Sequence, residues 1–252
     1  MNLSPAPRIA GTVEAAVSAR GLTRRFGSFT AVDGIDLDVA PGEIFGFLGA
    51  NGAGKTTAIR MLCGLLRPTA GSATVAGCRV GPESSALRRR IGYMSQRFSL
   101  YEDLTVRENM AFFGGVYGLS PGRIRDRAAA LLPQLGLSGR EDRLAGALPL
   151  GYKQRLALGS ALLHEPRVLF LDEPTGGVDP LARRSFWDLI YARAAAGTTV
   201  FVTTHYMDEA EYCGRVSIMI EGRIVALDTP AGLKRSTGGK DMQDVFLRLV
   251  DR

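Results

Sequence analysis

The 252-residue chain is poor in lysine, histidine, cysteine and tryptophan, and it lacks any long uninterrupted apolar run. Only four of its 31 Lys and Arg residues are lysine (Lys55, Lys153, Lys234, Lys240), so arginine carries nearly all the positive charge. No stretch of 18 or more uncharged apolar residues occurs, which excludes a bilayer-spanning helix. Cys63, Cys78 and Cys213 are scattered without CxxC spacing, which excludes a disulfide framework and a thiolate metal cluster. Cysteines used so sparingly fit a reducing, cytosolic setting. The opening MNLSPAPRIAGTVEAAV has no basic segment leading into an apolar core, so no secretory signal is expected, and residues 1–15 read as a flexible tail. The net charge of +6 is modest. Its densest basic tract, Arg88-Arg89-Arg90, reads as a solvated helix face, and no nucleic-acid partner is expected.

What is present suits a globular chain with a sizeable core: 46% hydrophobic and 22% charged residues. IDLDV (35–39) alternates as a half-solvated strand does, and an apolar run at 44–48 leads through a glycine-rich turn into a helix. SATVAG and RIGYMSQ read as further strands around a short helix at ESSALRR. From about 105 to 164 apolar residues recur three and four apart, which predicts a helical insertion. RVLFLDEP (167–174) and TTVFVTTH (198–205) are continuous apolar runs typical of buried parallel strands, with a helix at about 181–196 between them. RVSIMIEGRIVALDT predicts a hairpin turning at Glu221-Gly222, and MQDVFLRLV predicts a short amphipathic helix.

The strongest chemical signal is Gly49-Ala50-Asn51-Gly52-Ala53-Gly54-Lys55-Thr56, which fits G-x-x-x-x-G-K-[ST] between a strand and a helix. Its backbone N–H groups can wrap a β-phosphate at the helix N-terminus. Lys55 is suited to the β- and γ-phosphates and Thr56 to Mg²⁺. Arginine's wide planar fork would not fit the same cradle, which explains a lysine here in an arginine-rich chain. In VLFLDEP an apolar strand ends in two carboxylates: Asp172 can reach the Mg²⁺ shell, and Glu173 can orient and deprotonate an attacking water. His205, at the tip of the next strand signal, is placed to contact the γ-phosphate. His164, just before Glu165-Pro166, reads as a surface cap.

In order, these motifs resemble the ATP-binding-cassette (ABC) ATPases, the nucleotide-binding subunits of ABC transporters, over roughly residues 17 to 230. The resemblance implies an α/β P-loop NTPase fold with a mixed sheet core, an N-terminal antiparallel β subdomain and an inserted α-helical subdomain. It places the ATPase domain at 16–235, the helical subdomain at about 100–164 and a C-terminal helix in 236–252. It also implies ATP and Mg²⁺ as ligands, with Lys55, Glu173 and His205 catalytic. ATP binding falls to the loop from Gly49 through Thr57, to Gln96 after the IGYMS strand, and to Phe26 in RRFGSF as the aromatic that stacks on adenine. Core packing is the plain alternative for Phe26, and an exposed strand end for Gln96. Thr56, Gln96 and Asp172 are the expected metal residues. FGFLGANGAGKTT, GLLRPTAGSATVAG and HYMDEAEYCGRV are most similar to the ABC-2 branch, which exports drugs, lipids or polysaccharides. The implied partners are an integral membrane permease of ABC-2 type and a second ATPase subunit, identical or different, with the chain peripheral on the inner face of the cell membrane. RFSLYEDLTVREN, after Gln96, is the expected permease-docking segment.

One turn departs from the family pattern. Where the signature is usually L-S-G-G-Q, aligning Lys153-Gln154-Arg155-Leu156 puts Pro149 at the serine and Leu150 at the first glycine, while Gly151 keeps the second. Pro149 offers neither a hydroxyl nor a backbone N–H. With Tyr152, Gln154 and the D-loop Asp179, this turn is expected at the interface of a head-to-tail ATPase dimer. Two readings stay open: a working but altered signature relying on its helix dipole, or pairing with a different ATPase chain that supplies a standard signature. Rival functions are a soluble ABC ATPase acting on ribosomes or DNA, one half of a tandem cassette, and a P-loop kinase.

Overall fold

The computed structural model describes residues 14–81, 85–96 and 99–250. The expected tail, apart from its last two residues, lies outside this range, as do Glu83 and Ser84 of the expected short helix and Arg97 and Phe98 of the expected docking segment. The chain runs β1 (Val17–Phe26), β2 (Phe29–Val39), β3 (Ile44–Leu48), α1 (Lys55–Leu62), β4 (Ala70–Val75), β5 (Cys78–Arg79), α2 (Ser85–Arg88) and β6 (Ile91–Met94). It continues through α3 (Val106–Val116), α4 (Pro121–Gln134), α5 (Leu150–Leu162), β7 (Val168–Asp172), α6 (Pro180–Ala195), β8 (Thr199–Thr204), β9 (Arg215–Ile220), β10 (Arg223–Asp228), α7 (Pro230–Thr237) and α8 (Met242–Val250).

Two sheets result. An antiparallel sheet runs in the order β2-β1-β4-β5, and a six-stranded sheet in the order β10-β9-β3-β8-β7-β6. In the larger sheet β3, β6, β7, β8 and β9 run parallel, and only β10 returns antiparallel. Strand alternation sorts its side chains into two cores. Phe45, Phe47, Val168, Phe170 and Phe201 face the apolar side of the antiparallel sheet, and Phe201 packs within 5.3–5.4 Å of the other three rings. Leu48, Leu169, Leu171, Val200 and Val202 face the helices instead, packing with α3, α5 and α6. Both faces are therefore covered, which is why these strands read as unbroken apolar runs.

Local chemistry sets the element ends. Thr105 and Glu108 form a reciprocal capping box on α3. Ser120, Asp179 and Thr229 cap α4, α6 and α7, each followed by a proline whose missing N–H costs nothing at the first helical position. Glu221 and Gly222, both at positive φ, turn the predicted β9–β10 hairpin.

The antiparallel sheet is larger than its sequence signal. β1 and the first half of β2 carry no clean alternation, because register shifts between Ala19 and Arg25 break it. His164 is not the surface cap expected of it. Its ring stacks on Tyr117 at 3.6 Å between centroids, and its Nε2 lies 2.8 Å from the Ile91 carbonyl oxygen. It thus joins the end of α5 to β6 and to the end of α3. Burial lowers its pKa. In the basic triplet Arg88 and Arg89 are exposed, whereas Arg90 donates to the Ala76 carbonyl at 2.8 Å.

Candidate active site

Four parallel strands deliver their C-terminal ends to one edge of the sheet, the edge where open α/β sheets place ligands. From β3 comes the glycine-rich loop, from β6 Gln96, from β7 Asp172 and Glu173, and from β8 Thr203 and His205. The loop is wedged between β2 and β9. A Cβ on Gly54, whose φ is +108°, would lie 2.3 Å from the Ala31 carbonyl oxygen, and one on Gly49 would lie 2.5 Å from that of Met219. Only glycine lets the backbone pass here.

Glu173 is the hub. Its buried carboxylate accepts a 2.9 Å hydrogen bond from Gln96 Nε2 and lies 3.4 Å from Lys55 Nζ. His205 Nδ1 stands 3.1 Å from the same Oε2 that Gln96 reaches, without hydrogen-bond alignment. The Glu173 backbone adopts φ +49°, a region costly for a non-glycine residue. Thr203 holds it there, because the Glu173 N–H meets both the carbonyl (3.1 Å) and the hydroxyl (3.0 Å) of Thr203. Lys55 is 4% exposed and donates to the carbonyls of Gly49 (2.7 Å) and Ala50 (3.0 Å). Burial lowers its pKa, and Glu173 opposes the shift.

Beside this hub, Asp172 Oδ1 accepts hydrogen bonds from Thr203 Oγ1 at 2.6 Å and Thr56 Oγ1 at 3.1 Å. Its buried Oδ2 has no hydrogen-bond partner among the described residues. Burial raises the Asp172 pKa above its usual 3.8, and the two threonine hydroxyls oppose the rise. A hydroxyl next to a carboxylate with one oxygen unpaired is a donor set for a small, hard divalent cation that takes its remaining ligands from phosphate and water. No cluster of three or more His, Cys, Asp or Glu residues able to hold a metal occurs among the described residues.

The remaining expected residues lie apart from this group. Phe26 is 47% exposed at the β1–β2 turn, so it is not a core residue, and the Arg24 guanidinium lies over its ring at 4.4 Å. Thr57 follows Thr56 on α1 and is half-buried. The Pro149–Tyr152 turn opens α5 and packs against the loop after β7. The Leu150 side chain lies 3.3 Å from where a Cβ on Gly177 would stand, and Ala182 lies 3.6 Å from one on Gly151. Gln154 is buried and donates to the Gly176 carbonyl at 3.4 Å, and Asp179 caps α6 through the Ala182 N–H. Tyr152 lies under the Arg140 guanidinium. Among the helices whose caps are described, α1 at Gly54 and α5 at Pro149 start without a side-chain cap, whereas α3, α4, α6 and α7 are capped. No capping side chain takes up the first-turn amides of α1 and α5, although the Tyr152 N–H on α5 bonds the Pro149 carbonyl at 2.9 Å.

Thr203 escaped the sequence reading. The signal is a pair of threonines, both buried, directly after the apolar Val200-Phe201-Val202 stretch. A cleft of about 600 Å³ opens between β6 and the helices α3 and α5, lined by Tyr93, Leu100, Phe113, Val116 and Ser160 among others. At its rim Tyr101 and Phe112 are exposed and meet edge-on at 4.6 Å.

Comparison with known proteins bears on the family and the fold. The family model described as ABC transporter matches residues 32–176. The probable multidrug ABC transporter ATP-binding protein YbhF of Escherichia coli K12 is 46% identical over 242 residues, which cover 94% of this chain and 42% of YbhF. The daunorubicin/doxorubicin resistance ATP-binding protein DrrA of Streptomyces peucetius is 43% identical over 237 residues, covering 94% of this chain and 71% of DrrA. A solved ATP-binding subunit of an ABC transporter superposes with a TM-score of 0.84 at 28% identity, covering 93% of this chain and 99% of that one.

The unpaired oxygen of Asp172 predicts a pH signature. A raised carboxylate pKa adds stability below the ordinary aspartate value and loses it as pH climbs through the shifted one. Without nucleotide or metal, the melting temperature of Asp172→Asn should therefore gain on that of wild type as pH rises from about 3.8, and should keep the gain at neutral pH. Adding Mg²⁺ with ATP should raise the melting temperature of wild type more than that of the variant. Thermal unfolding at stepped pH measures both effects.

Proposed function

Because the chain belongs to the ABC transporter family, whose ATP-hydrolysing domain it carries, we propose that it hydrolyses ATP with Mg²⁺ to drive a separate permease. The observation that carries this is the convergence of Lys55, Gln96 and His205 on Glu173, beside Asp172 and Thr56. ATP lies along the glycine-rich loop, its β-phosphate on the amides of Gly49 to Thr57 and its β- and γ-phosphates against Lys55. Adenine stacks on the face of Phe26 that Arg24 leaves open. Thr56 and Asp172, joined by Gln96, would hold Mg²⁺, which would supply charge neutralisation on the phosphate oxygens. Glu173 takes a proton from the water whose oxygen attacks the γ-phosphorus, and the bond to the β,γ-bridging oxygen breaks. His205 fixes the γ-phosphate, and ADP and phosphate leave.

The relatives' printed names, multidrug transport and daunorubicin resistance, support export of drugs, lipids or related amphiphiles through an ABC-2-type permease. The chain then works on the cytoplasmic face of the membrane, held there by that permease. No helix among the described residues is long and apolar enough to cross a bilayer. The cleft beside Gln96, with Tyr101 and Phe112 at its rim, is the face offered to the permease's cytoplasmic segments. Glu102, next to Tyr101 in the chain, pairs with Lys153 on α5 at 2.9 Å, which ties this segment to the helix that the signature turn begins. The chain spans under half of YbhF, and that share is what a tandem-cassette reading rests on.

The second ATPase unit, identical or different, closes over the nucleotide with its own signature turn. In this chain Gly151 and the uncapped start of α5 make that contact without the serine hydroxyl. Free phosphate release from MgATP tests the function. Wild type should release it with no phosphorylated acceptor, and Lys55→Arg should lose about 10²-fold or more, since the fork does not fit the cradle. A kinase would instead yield a phosphorylated acceptor. Pro149→Ser should add one charge-assisted hydrogen bond, about 1.5–3 kcal/mol, and tighten ATP-induced dimerisation by roughly 10- to 100-fold. Sedimentation with MgATP measures this, and an unchanged dimer constant would show that the turn does not tune closure.

A further inference from the structure

A second polar cluster lies behind the phosphate-facing side chains. Glu209 sits in the short 3-10 turn Met207–Tyr212, four residues after His205, and it is completely buried. Its Oε1 accepts a hydrogen bond from Thr175 Oγ1, a buried hydroxyl two residues after Glu173. The same oxygen lies 3.6 Å from Arg183 Nε on the first turn of α6. Arg183 also reaches Asp208 Oδ2 at 3.3 Å and covers the Tyr206 ring at 4.1 Å, and Tyr206 packs 4.2 Å from His205. Glu209 Oε2 has no hydrogen-bond partner among the described residues, so both attachments run through one oxygen.

Three segments therefore meet on a single carboxylate oxygen. The loop after β7 carries Glu173, the loop after β8 carries His205, and α6 begins at Pro180, just after its Asp179 cap. Burying a charged carboxylate is costly, and packing these segments with apolar side chains would be cheaper. What the charge adds is a fixed direction: Thr175 donates to Oε1, and the Arg183 guanidinium, whose Nε has no hydrogen-bond partner among the described residues, faces the same oxygen as a charge at 3.6 Å. The 3.1 Å approach of His205 to Glu173 joins the same two loops on their phosphate-facing side.

We propose that Glu209 is a positioning residue for ATP hydrolysis. Through Thr175 and Arg183 it holds the Glu173 loop, the His205 loop and the start of α6 in one register. The base and the γ-phosphate contact then stay aligned when the site closes. The proposal rests on the ATPase reading above. It concerns the rate of the chemical step and not the grip on nucleotide, since neither Glu209 nor Thr175 belongs to the phosphate loop.

The test uses the full chain with Glu209→Ala, Glu209→Gln, Thr175→Val and the double variant Glu209→Ala/Thr175→Val. Steady-state phosphate release gives kcat and KM, a fluorescent ATP analogue reports nucleotide affinity, and thermal unfolding reports the fold. Glu209→Ala should lower kcat about tenfold or more, with KM and analogue affinity within about twofold of wild type. Glu209→Gln keeps the acceptor for Thr175 and should recover most of the rate. Thr175→Val should reproduce the loss, and the double variant should lose no more than Glu209→Ala alone. A role in the fold alone would lower the melting temperature without separating kcat from KM.

A Glu209→Ala rate within about twofold of wild type overturns the proposal, as does a Glu209→Gln variant as slow as the alanine one, or losses that multiply in the double variant. Should Glu209→Ala fail to fold, Thr175→Val decides: wild-type kcat there overturns the role. Phosphate release by wild type with unaltered variants sinks only the positioning role, whereas a wild-type chain that releases none sinks the ATPase reading and this proposal together.

Discussion

The buried Glu173 carboxylate, shared by Lys55, Gln96 and His205, is the interaction on which the site depends. Each partner comes from a different strand end, so the contact exists only because β3, β6, β7 and β8 lie parallel and end on one edge. Thr203 holds the Glu173 backbone at a conformation that a free chain would seldom adopt. The strain is local, and the two packed faces of the sheet sustain it. The ring cluster of Phe45, Phe47, Phe170 and Phe201 secures one face, and the leucine and valine layer against α3, α5 and α6 secures the other.

Helix ends extend the same logic to phosphate. Sequence places a capping side chain at α3, α4, α6 and α7 and withholds it at α1 and α5. Of these two, α1 begins at the glycine-rich loop and α5 at the Pro149–Leu150 turn. In the proposed function both helices meet phosphate, and a helix that receives an anion gains from keeping side-chain acceptors off its first amides. The proline is therefore less disruptive than it looks in isolation: it removes a hydroxyl and leaves the dipole and the glycine in place. Leu150 in turn packs by Gly177, which ties the altered turn to the loop that leads to Asp179.

Much of the site was legible because its chemistry needs fixed spacing. Gly49 through Thr56, the Asp172-Glu173 pair and His205 each stand at or just past the end of an apolar strand, and the structure brings them to one sheet edge. β1 was not legible, because its bulges break the period on which strand recognition relies. Nor was Thr203, whose hydroxyl acts across the sheet on a residue 31 positions away. His164 read as a cap because its sequence neighbours are turn-like, while its partners Tyr117 and Ile91 come from elsewhere in the chain. Contacts between distant segments leave no periodic trace. Single polar residues inside apolar stretches are the one hint they give.

The account stands on Glu173 acting as the base, while Lys55 and the glycine-rich loop provide the binding. The most direct measurement is single-turnover phosphate release by Glu173→Gln beside its affinity for MgATP. Glutamine keeps the shape and the reach toward Gln96 and His205, but it cannot take a proton from water. The account predicts a release rate lower by about 10²-fold or more, with ATP affinity held within a few-fold of wild type. A variant that releases phosphate at the wild-type rate, or one that loses rate only because it no longer binds ATP, would contradict it.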